Sequence, residues 1–307
     1  MRTFFIIISV LSIMNIKVKC QTNESLGNFD ISSDDKQIIF SYVKNNISTV
    51  YTINSDGSNL KKIISSNGDS FFVSPKYSKD GRKFLYILYK KDSNNGSLNI
   101  CDIDGRNNEK LTDDKHIITE AVYSRDGESI YFCQANEYAA YSPIGVKAPH
   151  DLDIYLLALK DKRITKVSNV KAYGISSISD LDDKYIVMRL EAGPDGGMGL
   201  LTKENGTEFR RIVPANNPRK LANVYYMPTY SGKFNMLIFI APYEIYAMNL
   251  KDKIAQSVFF NKGGHTVNNL CVFKNEKKIL FTTGDDFNLH SVNFDGTELR
   301  VIPLNLR

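Results

Sequence analysis

The phrase YSKDGRKFLY at residues 77–86 returns as YSRDGESIYF at residues 123–132, which places Asp80 and Asp126 46 positions apart. A phrase repeated at such a period constrains the fold more than any composition can, because each unit must bury its faces against the next. Its grammar is serine, any residue, aspartate, glycine, two polar residues, then an apolar run. ISSDDKQIIF (31–40) carries the phrase a further 46 residues upstream, with Asp34 in the aspartate position. Weaker copies follow in DLDDKYIVM (180–188), TYSGKFNMLIF (229–239) and FKNEKKILF (273–281), aligned on Asp182, Ser231 and Asn275. The chain reads as six units.

A second phrase stands between the copies: an alternating apolar run and another tight turn, as in VYTINSDGSNLKKII, NICDIDGRNNEKLT and LHSVNFDGTELRVI. Asp-Gly between alternating segments signals a two-residue hairpin, since both central residues must take positive φ. Two hairpins per unit give four short strands, and no helical period runs longer than two turns. The expected fold is all-β, a six-bladed β-propeller of four-stranded antiparallel blades, spanning residues 21–307. The blades fall at about 27–68, 69–115, 116–171, 172–220, 221–264 and 265–307.

Residues 1–20 read as a cleaved secretory signal: FFIIISVLSIMNI is an apolar run of thirteen residues behind one positive charge. That run is too short for a membrane span, which needs about 20 residues. Cys20 also suggests a lipid anchor, but Lys17 and Lys19 sit where a lipobox wants an apolar and a small residue. The expected location is periplasmic or secreted, with no membrane span after cleavage. Losing Arg2, Lys17 and Lys19 lowers the net charge from +5 to +2. No basic stripe remains, which argues against nucleic acid as a partner. Cys101, Cys133 and Cys271 lie in apolar runs and read as buried free thiols.

The phrase S-x-D-G, an apolar strand, then I-Y, D-G and L-T resembles the propeller repeat of the periplasmic TolB family. YSKDGRKFLY with NICDIDGRNNEKLT, and YSRDGESIYF with DIYLL, carry the likeness, which extends over residues 27–307. The resemblance implies the fold and specifies little of the function, because this repeat serves many exported proteins. TolB carries an α/β domain before its propeller, whereas about ten residues separate the expected cleavage site from the first blade here. Roles that depend on that domain are not implied. Serine peptidase chemistry is excluded, since no G-x-S-x-G elbow occurs.

Both tight turns of a blade fall on one face. The connection between the second and third strands and the crossover to the next blade fall on the other. KKDSNNGS (90–97), QANEYAAYSPIGVKAPHDLD (134–153) and EAGPDGGMG (191–199) enlarge that second face, and long loops on a rigid scaffold are where binding usually sits. Tyr141, His150, Asp151 and Asp153 in the blade-three insertion are candidate ligand-binding residues. His116 and His265 occupy equivalent crossover positions three blades apart, and are expected to face one another across the channel mouth beside Glu24, Ser70, Ala172 and Leu221. A deeper polar ring is expected from Asn28, Ser74, Glu120, Ser176, Tyr225 and Asn269. His116, Glu120, His265 and Asn269 are therefore the candidate channel-mouth ligands.

These observations predict a monomeric binding module that captures an envelope or extracellular protein, peptide or glycan through its long-loop face and channel mouth. No catalytic residue is assigned and no cofactor is expected; no H-x-H or H-E-x-x-H motif occurs, and metal content is left open. The alternative is a carbohydrate-active lyase or glycosidase in which His116, Glu120, His150 and His265 converge at the channel. A third reading, implied by the resemblance to TolB, which binds a peptidoglycan-associated lipoprotein through its propeller, makes the tight-turn face around Lys79 and Arg125 the contact surface.

Overall fold

The computed structural model describes residues 24–140, 147–191, 196–204, 206–220, 224–284 and 286–306; the expected signal, residues 1–20, lies outside them. Six antiparallel sheets, each of four consecutive strands, form the blades of a propeller. The first strands of the blades are Glu24–Ile31, Ser70–Tyr77, Ile117–Tyr123, Ile175–Asp180, Tyr226–Ser231 and Val267–Val272. Each touches the first strand of the next blade and the last touches the first, so they enclose the central channel.

Blades stack face against face, which explains the composition of the strands. The second strand of a blade is covered on both faces and reads as an unbroken apolar run: Phe84, Leu85, Tyr86 and Ile87 are all fully buried. Burying such side chains contributes roughly 1.5–3 kcal/mol each. The fourth strands, such as Lys61–Ser65, Ile164–Lys166 and Arg300–Ile302, form the outer rim and are mostly exposed. Their lysines and arginines blunt open sheet edges that would otherwise pair with another chain.

The repeated phrase is a self-contained turn. In blade two the Ser78 hydroxyl accepts the Lys83 N–H at 3.0 Å and donates to Asp80 at 2.7 Å. Asp80 in turn accepts the Arg82 N–H at 3.1 Å. Gly81 takes φ +70° and returns its N–H to the Ser78 carbonyl at 2.9 Å. Blade three repeats each bond with Ser124, Asp126, Gly127 and Ser129. The motif exists because backbone groups at a strand end need partners that no ladder supplies.

Blade one departs from this grammar at one position. Asp35 stands where the copies in blades two and three have glycine, adopts φ 63° and is buried. Its carboxylate accepts the N–H groups of Lys274, Asn275 and Glu276 at 2.6, 2.7 and 3.1 Å, clasping the turn of blade six. Blade six keeps its own fourth strand, Arg300–Ile302, so the ring closes without sharing a strand. The seam is completed by Phe29, Ile31, Ile38 and Phe40 packing on Cys271, Phe273, Leu280 and Ile302.

The blade-three insertion is mostly strand rather than loop. Ser129–Ala139 and Ala148–Ala158 run eleven residues each and stay paired as far as Ala139 and Ala148. The extra residues alternate well enough to lengthen the hairpin, so it projects beyond its neighbours on the crossover face.

Candidate functional site

The channel opens as a funnel toward the tight-turn face, with a cavity of about 400 Å³ lined by all six inner strands. Every inner strand carries a register shift. In three of them the bulged residue takes a left-handed conformation: Ser74 at φ 50°, Ser177 at 55° and Met227 at 50°. A bulge adds a residue to one strand and re-aims the side chains around it. Around this level the cavity meets Asn28, Glu120, Ser177, Met227 and Asn269, and Asn28 Nδ2 donates to the Ser74 hydroxyl behind it at 2.9 Å.

The expected ring therefore meets the cavity at Asn28, Glu120 and Asn269, misses it at Ser74, which is buried behind Asn28, and fails outright in blades four and five. Ser176 and Tyr225 do not line the cavity; Ser177 and Met227 stand in their places. In blade four the turn is one residue shorter, since the Leu181 N–H bonds to the Tyr185 carbonyl, so aligning on Asp182 misplaces the column. In blade five Ser231 pairs with Met236, which makes it the counterpart of Ser78 and not of Asp80. Tyr225 is fully buried between blades against Phe239 and Tyr246.

Charges accumulate above the bulge. Asp30 accepts the Tyr77 N–H at 3.0 Å and faces Lys274 Nζ at 3.5 Å. Burial works to raise the pKa of this carboxyl, yet Lys274, Lys76 and the N–H donors outweigh it and hold it below the ordinary value. Glu120 goes the other way: burial raises it, against the charge of Lys76 and a hydrogen bond from the Ser177 N–H. Lys76 donates only a long bond, 3.3 Å, to the Phe29 carbonyl. Asp180 is taken by Lys203 at 2.5 Å and the Arg125 N–H at 2.9 Å. Burial pushes the Cys271 thiol up to about 11, so it is no thiolate nucleophile.

The sequence-predicted residues separate into groups. Glu120 and Asn269 line the cavity; His116 and His265 do not. His116 is exposed on the crossover face, bridged to Gly96 of the preceding blade, with Asp113 3.8 Å from its Nε2. His265 is exposed in the crossover before blade six, where its carbonyl accepts from Asn261 Nδ2 at 3.0 Å. His150 is buried in the long hairpin, edge-on to Tyr173 with ring centroids 5.9 Å apart. Asp151 adopts φ 52° and its carbonyl accepts from Asn136. Tyr141 lies outside the described residues.

Asp153 has a structural place. Fully buried, it accepts from the Ser168 hydroxyl at 2.9 Å and the Val170 N–H at 2.7 Å, and pairs with Lys166 at 2.8 Å. It ties the crossover of blade three to the hairpin. Among the described residues no group of three or more His, Cys, Asp or Glu side chains could hold a metal ion, so His116, Glu120, His150 and His265 do not gather into one.

Sequence reading missed two features. Lys76, Tyr77, Tyr123 and Lys274 line the funnel, although YSKDG and YSRDG had displayed both tyrosines as turn grammar. The crossover face, in turn, carries the exposed aromatic rings. Tyr138, Tyr173, Tyr243, Phe260 and Phe287 are between 40% and 59% exposed, and all sit at crossovers or at the ends of strands that reach that face. Among the described residues the tight-turn face has no aromatic ring so exposed.

Fold and funnel together define a six-bladed propeller with a polar, one-sided central cavity. No family model and no curated protein matches the sequence. Among solved structures, TolB from Acinetobacter baumannii aligns with a TM-score of 0.63 at 16% identity, over 81% of this chain and 58% of that one. The tricorn protease aligns at 0.63 and 17%, over 91% and 26%. Oligogalacturonate lyase in complex with manganese aligns at 0.59 and 12%, over 91% and 77%. Likeness at such identities establishes a shared architecture, so the chain has a TolB-like propeller fold. Among the described residues no helix is long and apolar enough to cross a membrane.

Proposed function

We propose that this chain is an exported interaction module, acting as a monomer in the periplasm or outside the cell, that binds a partner protein through its crossover face. One observation carries the reading: five exposed aromatic rings share that face, on a rigid scaffold whose other face is charged. Aromatic side chains are enriched at protein interfaces and account for much of their binding energy. Tyr243 and Phe260 stand on neighbouring strands of blade five, joined by the Asn261 N–H to Tyr243 carbonyl bond at 2.8 Å. Tyr173 stands against His150 at the base of the long hairpin. The TolB-like fold supports an interaction role at the level of architecture. Export rests on the apolar run within residues 1–20.

The full chain, immobilised, is to be presented to an envelope extract, beside a Tyr173→Ala/Tyr243→Ala variant and a Lys79→Glu/Arg125→Glu variant. The expected result is loss of the same captured protein with the aromatic variant and retention with the charge-reversed one. The opposite pattern would move the interface to the tight-turn face. Capture of glycan fragments in place of protein would move the reading to a lectin-like module.

A further inference from the structure

The funnel lies on the face opposite the proposed interface, and its chemistry is separate. A volume of about 400 Å³ falls within the range of small-molecule sites, about 300–1,000 Å³. Most charges around it are satisfied internally: Asp30 by Lys274 and the Tyr77 N–H, Asp180 by Lys203 and the Arg125 N–H. Two are not. Lys76, on the inner strand of blade two, and Glu120, on that of blade three, line the same cavity. Among the described residues neither belongs to an ion pair. Each lies within reach of the other's field, since the lysine's charge opposes the rise in the pKa of Glu120. Lys76 instead leans on the Phe29 carbonyl.

Tyr77 and Tyr123 also line the cavity, but their rings pack between blades and their hydroxyls are buried away from its opening, without a hydrogen-bond partner among the described residues. One cation and one anion, held apart around the cavity, describe the complement of a molecule that carries both charges.

We propose that the funnel binds a small zwitterion with one carboxylate and one ammonium group, a free amino acid or short peptide, with Lys76 taking the carboxylate and Glu120 the ammonium. Lys79 and Arg125 stand at the rim, exposed to solvent. A ligand with only one of the two charges would leave the other protein charge desolvated and unpaired, which is the source of selectivity.

The test is calorimetric titration of the full chain with alanine, leucine, dialanine and trialanine, whose charges are progressively further apart. N-acetylalanine, which lacks the ammonium, alaninamide, which lacks the carboxylate, and inorganic phosphate serve as controls. At least one zwitterion is expected to bind, with the blocked forms weaker by about tenfold or more. Lys76→Met should erase the preference over alaninamide, and Glu120→Gln the preference over N-acetylalanine. Tyr123→Phe serves as a control: it removes a buried orphan hydroxyl that the cavity does not reach, so the melting temperature should hold or rise with affinity unchanged. N-acetylalanine or phosphate binding as tightly as the zwitterions overturns the proposal in favour of a simple anion site. So does the absence of binding by any zwitterion at millimolar concentration.

Discussion

The two faces of this propeller are built by opposite rules. On the tight-turn face four to six residues separate the paired strands, and serine, aspartate and glycine satisfy the backbone locally, as Ser78, Asp80 and Gly81 do. On the crossover face the spans vary, with two residues between Lys44 and Ile47 and eight between Lys166 and Ile175, and aromatic rings are left in solvent. One face is occupied with holding the ring; the other has surface to spare. The difference teaches that a repeat persists where each turn must satisfy its own backbone, and lapses where other parts of the chain supply the partners.

Mutations can break or sharpen that contrast. The largest effect is expected at the clasp: Asp35→Ala leaves three N–H groups of blade six without their acceptor and should cost about 3 kcal/mol in urea unfolding. A loss below about 1 kcal/mol would mean that the apolar seam alone closes the ring. Next comes Asp153→Asn, at about 2 kcal/mol, since the carboxylate serves Ser168, Val170 and Lys166 from a fully buried position. Capture of the partner should survive it while the protein stays folded; lost capture with an unchanged melting curve would return Asp153 to the binding surface.

Two channel acids give a smaller effect, of opposite sign. Asp30 has its pKa depressed on folding, so its stabilisation is present above its ordinary value of 3.8 and is lost as pH falls through the lowered one. Glu120 has its pKa raised, so its contribution is present below 4.5 and is lost as pH rises through the raised value. In denaturation followed against pH, Asp30→Asn should flatten the acid limb and Glu120→Gln should gain stability over wild type toward neutral pH. Matching slopes in the two variants would contradict the opposed electrostatics. Least of all, Tyr243→Ser should change stability by no more than about 0.5 kcal/mol, because an exposed ring on the crossover face supports nothing beneath it.

The architecture was legible because its signal is redundant: six copies of one turn, each followed by a run that must be buried on both faces. Individual site residues were less so. Glu120 and Asn269 fall on the cavity because the turns of blades three and six keep the length of the turn in blade two, whereas Ser176 and Tyr225 were misplaced by a shortened turn in blade four and a serine in blade five that imitates the wrong position. Lys76 reads in SPKYSK as an ordinary solvent lysine, and only its parity with Asp30 on an inner strand marks it as a channel residue. Asp153 carried the opposite error. An aspartate in an insertion resembles a ligand, and nothing in the sequence says that Ser168 and Val170 fold back onto it.

The Asp35 clasp also bears on how the chain is made. The bond from the Asn275 N–H to Asp35 joins residues 240 positions apart, across the only seam between the two ends of the ring. Blades one to five can assemble in order as they are synthesised, but the circle stays open until the turn of blade six arrives. Closure of so long a loop is slow, and through that interval blade one presents an uncovered apolar flank to anything nearby. Translation of the final blade, rather than of the first, therefore ends the chain's exposure to aggregation.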